Sequence, residues 1–397
     1  MPAPAPRFAT DLPARADCVI VGGGIIGAAT AFHAARAGLS VVVIERRPAL
    51  ASLTTAASAG GFRAQFEDPA EIALMRSSLD VFARFGEVTG MPGVEIGLNR
   101  GGYLWVTTRA EGPARHAQVI AHQRAHGLDD VEHLSGDEAR RRFPYLAPEV
   151  TSARFRSADG WLDPRKLALG FAAASGAPFC VSTRVVALRV EGGRVTGVQT
   201  DRGEIACGAV VLAAGPFVAR MAAAAGVPLP IELMTRHKVT LAEEPLVPHG
   251  APMTIDEDTG AHWRPHGAGA LVLCPHADTP DAAPLDDVPS QAAFAFALLA
   301  PDGPLSVGRV SPFWRTAWAL GAPTFSMHSG QYALTPDRKP LIGPTAIGGL
   351  HVNGGYSGHG IMASAGGAQL LVAGIVGHAE HSFRLDRRFV PAAQGPL

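Results

Sequence analysis

Four consecutive apolar positions, Cys18-Val19-Ile20-Val21, stop abruptly at glycines and open the first regular pattern in the chain. An Ala-rich stretch of helical character follows and ends near Gly38, and a second apolar run, Val41 to Ile44, ends at Glu45. Strand, turn, helix, strand is a βαβ unit, and the right-handed crossover rule makes its strands parallel. Residues 68–90 and 111–127 also pattern as helices, 94–107 alternates like a strand or hairpin, and another helix begins at Asp163-Pro164. From Pro178 to Ala214, turn signals at Glu191-Gly192-Gly193 and Asp201-Arg202-Gly203 predict a β-meander that ends in VVLAAG. Residues 231–335 carry strand-like pieces (LMTRHKVTL, ALVLC, FSMHSGQYAL), a Pro- and Asp-rich stretch at 276–289 and a helical segment after it. A strand, LHVNG, and an Ala/Gly-rich helix from about Gly358 to Val376 are expected toward the end.

A chain of 397 residues exceeds what a single core usually supports, so two interleaved domains, or one domain with a large insertion, are expected. Hydrophobic residues make up 47% and the formal net charge is -1, which argues against nucleic acid as a partner because there is no basic excess to release phosphate counterions. Apolar runs break well before the roughly 18 to 20 residues of a membrane span. The leader MPAPAPRFATDLPARA lacks the apolar core of a secretory signal and reads as a disordered tail over residues 1–16. Cys18, Cys180, Cys207 and Cys274 form no CxxC pair, so neither a zinc site nor a disulfide framework is expected, and a cytoplasmic setting fits. Metal-ligand spacings and a GxSxG elbow are both missing from the sequence.

The chemistry begins at Gly22-Gly23-Gly24-Ile25-Ile26-Gly27, a GxGxxG placed after a strand and at the start of a helix. Gly22 permits the tight turn, Gly24 lets backbone approach a pyrophosphate, and Gly27 lets helix lie close to strand. The helix start, at Ile25 and Ile26, offers N–H groups and partial positive charge to phosphate. Glu45 stands 21 positions after Gly24, where a carboxylate accepts hydrogen bonds from an adenosine ribose and repels a 2′-phosphate. Despite the following Arg46 and Arg47, FAD or NAD is favoured over NADP.

Other stretches bear on that choice. They are Thr54 to Arg63 (TTAASAGGFR), Ala213-Ala214-Gly215-Pro216-Phe217, Tyr332 to Asp337 (YALTPD), Pro340-Leu341-Ile342-Gly343 and Tyr356 to Met362 (YSGHGIM). Together, in this order from about residue 17 to 378, they resemble the D-amino-acid-oxidase superfamily, and within it the sarcosine-oxidase, glycine-oxidase and dimethylglycine-dehydrogenase branch. The resemblance implies an α/β protein, with a doubly wound, Rossmann-like FAD-binding domain of the glutathione-reductase type interleaved with a substrate domain built on a large antiparallel sheet. The expected FAD domain comprises 17–90, 152–230 and 336–397; the substrate domain comprises 91–151 and 231–335. Ser58, Ala59, Gly60 and Gly61 would run beside the flavin, Val185 would meet adenine through its backbone, and Ala214 and Gly215 would pass the pyrophosphate. Gly355 and Gly358, His359, Gly360, Ile361 and Met362 would border the pyrimidine, with the dipole of the last helix stabilising charge at N1 and C2=O.

The resemblance also exposes departures. Gly330 stands where some sarcosine oxidases attach the flavin to a cysteine, so FAD is expected to be non-covalent. Met362 replaces a carboxylate-anchoring lysine, Val272 falls where the oxygen-activating lysine belongs, and Tyr332 stands where glycine oxidase has an arginine. The implied reaction is oxidation of a C–N bond in an amine or amino acid, an N-alkyl or cyclic amino acid above all, by hydride transfer to flavin N5 and hydrolysis of the imine. Oxygen or an electron carrier would reoxidise the flavin. Arg63 and Arg264 are the candidates to hold a substrate carboxylate, with Arg236 behind them and only one of Arg236 and His237 pointing inward; His276 and Tyr332 complete the catalytic candidates. A flavoprotein subunit of a dehydrogenase complex, a homo-oligomer, an enzyme for 2-hydroxy acids and an NAD-linked dehydrogenase remain open.

Overall fold

The computed structural model describes residues 5–275, 280–377 and 380–391. Its first sheet has seven strands, in the order Arg7–Phe8, Pro178–Cys180, Val41–Ile44, Cys18–Val21, Ala209–Leu212, Leu350–Gly354 and Leu341–Pro344. All neighbours are parallel except the last pair. Alternation along the central strands divides their side chains between two cores. Cys18, Ile20, Val41 and Val43 pack with the helices Ile25–Arg36, Pro164–Ser175 and Ser364–Ile375. Val19, Val21, Val42 and Ile44 pack on the opposite side with Val198, Ile205 and Leu350.

The βαβ start stands as expected, with Cys18 opposite Val41 in parallel register. The helices at Pro69–Ala83, Phe85–Thr89, Gly112–Ala125 and Pro164–Ser175 also lie where patterning places them. Asp163 caps the last of these by accepting from the N–H groups of Arg165 and Lys166.

Several expectations are corrected. Residues 5–16 are not a disordered tail: Arg7 and Phe8 extend the sheet edge against Pro178 and Phe179, and Arg15 bridges to Ala206. Edge pairing uses backbone groups, so the side-chain pattern gives no sign of it. The stretch from Pro178 to Ala214 is not one meander. Its first and last strands join the parallel sheet, and only Val185–Glu191, Arg194–Thr200 and Gly203–Ala206 form a separate antiparallel sheet. Within 94–107 only Tyr103–Thr107 is a strand.

The second sheet has eight strands in the order Ser326–Leu334, Glu232–Leu241, Gly269–Leu273, His262–His266, Met253–Asp256, Tyr103–Thr107, Ser152–Arg156 and Glu132–Ser135. It is antiparallel apart from the pairing of Met253–Asp256 with Tyr103–Thr107. Ser152–Arg156 therefore lies in this sheet rather than with the expected 152–230 segment, because it pairs antiparallel with both Tyr103–Thr107 and Glu132–Ser135. One face of this sheet buries Val239, Leu241, Trp263 and Val272 against the helices Ala292–Leu299 and Phe313–Leu320. Period-two alternation sends Lys238 and Arg264 to the opposite face, toward the loop around Ser58. Among the described residues no helix is long and apolar enough to cross a membrane, and no group of His, Cys, Asp and Glu could hold a metal.

Partly buried carboxylates brace this sheet just after the strand Met253–Asp256. Glu257 accepts from Arg154 at 3.3 Å and pairs with His116 at 2.6 Å. Asp258 accepts from Thr107 at 2.6 Å and pairs with Arg309. Although desolvation opposes it, these partners together hold both carboxyl groups down at about 2. A depressed folded-state value stabilises the fold above the unfolded carboxyl range and is lost as pH falls. Thermal melts between pH 5 and pH 2 are thus expected to show a falling midpoint, and Glu257→Gln should flatten part of that fall; an unchanged slope in the variant would remove Glu257 from the explanation.

Candidate active site

A cavity of about 800 Å³ opens along the C-terminal ends of the parallel strands, near the upper end of the size range of cofactor sites. Its floor depends on glycine. A Cβ at Gly27 would stand 1.8 Å from Gly22 O, and one at Gly22, where φ is +117°, would stand 2.5 Å from Ala213 O. Gly24, in contrast, would meet only Thr55 Oγ1 at 3.3 Å, so its backbone faces open space. The Ile25 N–H donates to Thr55 Oγ1 at 3.2 Å, which leaves anion binding to the N–H groups that follow.

Glu45 is fixed in the wall by two backbone donors. Gly23 N–H donates to Oε2 at 2.7 Å and Arg47 N–H to Oε1 at 2.8 Å. Each oxygen keeps a second lone pair for a ribose hydroxyl. Beyond it, Val185, Val186, Leu188 and Val190 form an apolar wall, and the Arg46 guanidinium lies 3.8 Å from the centroid of Phe217. Arg46 also pairs with Asp286 at 2.5 Å. Ala214 and Gly215 line the cavity, and Gly215, with φ of +53°, has no atom within 4 Å of where its Cβ would stand.

At the far end the chain turns sharply. Ser357 and Gly358 adopt φ of +51° and +96°, which an α-helix cannot accommodate, so the last helix begins at Ser364 and not at Gly358. Gly358, His359, Gly360, Ile361 and Met362 form the preceding turn, and the expected dipole therefore starts six residues later. Gly355 also has a positive φ, +64°, and its Cβ would meet Thr335 at 2.9 Å. A Cβ on Gly358 would stand 2.5 Å from the ring of Tyr332, which packs directly on it.

Behind this end lies a second, smaller cavity of about 100 Å³. Ser58, Tyr332, Gly358 and Ile361 line both cavities. Ala59, Gly61, Arg63, Tyr103, Trp105, Met253, Ile255, His262, Leu273, His359 and Met362 line the smaller one only.

Arg63 is 7% exposed, donates from Nη1 to Gln65 O at 2.6 Å, and lies 3.9 Å from the centroid of Phe66. Among the described residues no carboxylate forms an ion pair with it. Burial lowers its pKa to about 10, so it remains cationic at neutral pH. Arg264 is different: Nε and Nη2 donate to Ala59 O at 3.1 and 2.7 Å, and Nη1 donates to Pro265 O. It lines neither cavity. It ties down the loop jointly with Lys238, whose Nζ donates to Ala56 O and Ser58 O at 3.0 Å each. Patterning overlooked Lys238, although its strand alternation puts it on the same face as Arg236.

Gly60, with φ of +72°, keeps this loop close to Leu162 O, 2.0 Å from where a Cβ would stand. Arg236 lies 5.6 Å from the Tyr332 ring centroid, whereas His237 turns to Ser329 Oγ at 2.6 Å. His359 is buried edge-on to Phe66 at 4.9 Å, and burial followed by the charge of Arg63 lowers its pKa to about 3. His276 lies outside the described residues.

The two-compartment cavity, the glycine floor and the paired carboxylate suit an adenine dinucleotide whose ring system reaches the junction. The family model for FAD dependent oxidoreductases (DAO) matches residues 17–373. The chain belongs to this family of flavoenzymes. Similar proteins include the mitochondrial sarcosine dehydrogenase of Homo sapiens, 26% identical over 92% of the chain and 40% of that protein. The 4-methylaminobutanoate oxidase (formaldehyde-forming) of Paenarthrobacter nicotinovorans is 27% identical over 89% of the chain and 43% of its own length. This flavoenzyme thus spans less than half the length of those relatives. Among solved structures, L-proline dehydrogenase from P. horikoshii superposes with a TM-score of 0.80 at 26% identity, covering 93% of this chain and 96% of that one. Glycine oxidase from Geobacillus kaustophilus gives 0.81 at 25%, covering 95% and 100%. The α/β fold with an FAD-binding part and a substrate sheet is that of these neighbours.

Proposed function

We propose that this flavoenzyme oxidises the C–N bond of a small amino acid, with secondary, N-alkyl or cyclic amines favoured, and that its FAD is held without a covalent link. In this reading Gly22, Gly24 and the Ile25-Ile26-Gly27 helix start take the pyrophosphate together with Ala214 and Gly215. Glu45 takes the adenosine ribose, and Val185 and Arg46 flank the adenine end. The ring system lies against Ser58 to Gly61, Gly355 and the 358–362 turn. Bound FAD supplies the two-electron acceptor for the substrate's hydride. Residues 17–90 and 336–391 with the parallel strands would form the cofactor domain, and the eight-stranded sheet the substrate domain. Gly330 supports non-covalent binding: a Cβ there would stand 2.9 Å from Ala57 Cβ, and all four cysteines are buried.

One observation carries the substrate assignment. Arg63 is a buried cation that forms no ion pair with a carboxylate among the described residues, Asp159 and Glu71 acting on it only at longer range, and it stands at the wall of a small cavity that adjoins the proposed ring site. A buried charge is tolerated when it gains a partner, and a guanidinium pairs bidentately with a carboxylate. The apolar remainder, Trp105, Met253, Ile255 and Leu273, leaves room for a small aliphatic or cyclic side chain. Anaerobic mixing with N-methylglycine, proline and a panel of other amines is expected to bleach the visible flavin band with at least one of them. A folded yellow protein that no amine or amino acid reduces would end this assignment.

A further inference from the structure

We infer that His262 is the acceptor of the proton that leaves the substrate nitrogen, a role that rests on the amino-acid oxidation proposed above. His262 begins the His262–His266 strand, two positions before Arg264 on the same face, and lines the small cavity beside Arg63. Its Nδ1 lies 2.8 Å from Gly260 O, and a carbonyl can only accept, so Nδ1 carries the hydrogen. That fixes the tautomer with a lone pair on Nε2, for which no protein partner is present among the described residues.

The composition of the cavity makes such an acceptor necessary. A small amino acid reaches the site with its nitrogen protonated, while hydride loss from the adjacent carbon requires the nitrogen lone pair. Arg63 is taken up by the substrate's carboxylate, and no carboxylate is among the described residues lining the wall, so an ammonium there has no anionic partner and is destabilised by desolvation. The other titratable groups of the wall are Tyr103, Tyr332 and His359. Burial drives both phenols further toward their protonated form, in which they offer no base. His359 Nδ1 is enclosed, and burial and Arg63 make the ring a far weaker base, at about 3.

From the neighbouring strands, Asp256 is fully engaged with Arg309, while Lys238 and Arg264 are tied to the loop carbonyls. His266, at the end of the same strand, is exposed and does not line the cavity. Burial and Arg63 lower the His262 pKa from its usual value, against the Gly260 bond, so the free ring is neutral, and a substrate carboxylate on Arg63 would offset the charge that opposes protonation of Nε2. The step is a simple proton transfer: the N–H bond of the ammonium breaks, its electron pair stays on nitrogen, and an Nε2–H bond forms.

His262→Gln removes the base and keeps the size. Anaerobic flavin reduction by N-methylglycine and proline is followed from pH 6 to pH 10, alongside binding of propanoate read from the shift of the visible flavin band. In the parent protein the reduction rate divided by the dissociation constant should rise with pH less steeply than in the variant. In the variant it should fall by about 100-fold or more at neutral pH and recover about tenfold per pH unit toward the substrate's own amine pKa. Propanoate, which has no nitrogen, should bind both proteins within about twofold. Equal pH profiles in the two proteins, or a propanoate loss as large as the kinetic one, overturns the role of His262. If the glutamine variant sheds its FAD, His262→Asn, which keeps a donor toward Gly260 O, is put through both measurements. Failure of every amine to reduce the parent protein would instead overturn the oxidation reading itself, while propanoate binding would still report on Arg63.

Discussion

Arg63→Met is expected to retain FAD and its visible spectrum while losing about 30-fold to several thousand-fold in kcat/KM for an amino-acid substrate. The range follows from the roughly 2 to 5 kcal/mol typical of truncating one partner in a buried, hydrogen-bonded charge pair, at about 1.4 kcal/mol per tenfold. Methionine keeps most of the packing on Phe66 and Trp105, whose ring centroids lie 3.9 and 5.2 Å from the guanidinium. The loss should therefore appear mainly for carboxylate-bearing substrates. An amine without a carboxylate should be affected by only a few-fold. Steady-state kinetics on N-methylglycine against a carboxyl-free secondary amine checks this, and equal losses on both would remove the carboxylate from the role of Arg63.

Gly27→Ala carries the second large effect, on the cofactor. The added methyl would stand 1.8 Å from Gly22 O, a backbone atom with no rotamer to escape into. Relief requires the helix Ile25–Arg36 to lift from the strand Cys18–Val21, which opens the floor on which the pyrophosphate is proposed to rest. Overpacking of this kind costs about 1 to 3 kcal/mol, and where relief deforms the floor that cost appears in binding, so FAD affinity should drop by about 5-fold to 140-fold. Gly374→Ala, in the helix Ser364–Ile375, is the control, since nothing lies within 4 Å of its Cβ. It should bind FAD as the parent does, and fluorescence titration distinguishes the two.

Much of this organisation is visible in the residues themselves. The Cys18 and Val41 runs are fully buried on both faces, so their continuity in the sequence reports their environment directly. Glu45 is legible because a strand end and a glycine turn fix its position relative to each other. The sites that escaped are those set by long-range contact. The strand Arg7–Phe8 is held by backbone pairing with residues more than a hundred positions away. The start of the last helix moved to Ser364 because Ser357 and Gly358 take left-handed φ values, a demand of the packing against Tyr332 that no periodicity signals. His262 escaped as well: it shares a face with Arg264, but nothing local in the sequence shows that Arg264 reaches Ala59 O while His262 lines the cavity. Thr55, which takes the Ile25 N–H from thirty positions away, was hidden for the same reason.

The most direct measurement is the flavin content of the folded protein. Purified chain supplied with FAD and freed of excess by gel filtration should be yellow, hold one FAD per chain, and release all of it to the supernatant on acid precipitation. A folded, colourless chain that takes up no FAD would contradict the cofactor assignment, and flavin that stays with the precipitated polypeptide would contradict non-covalent binding.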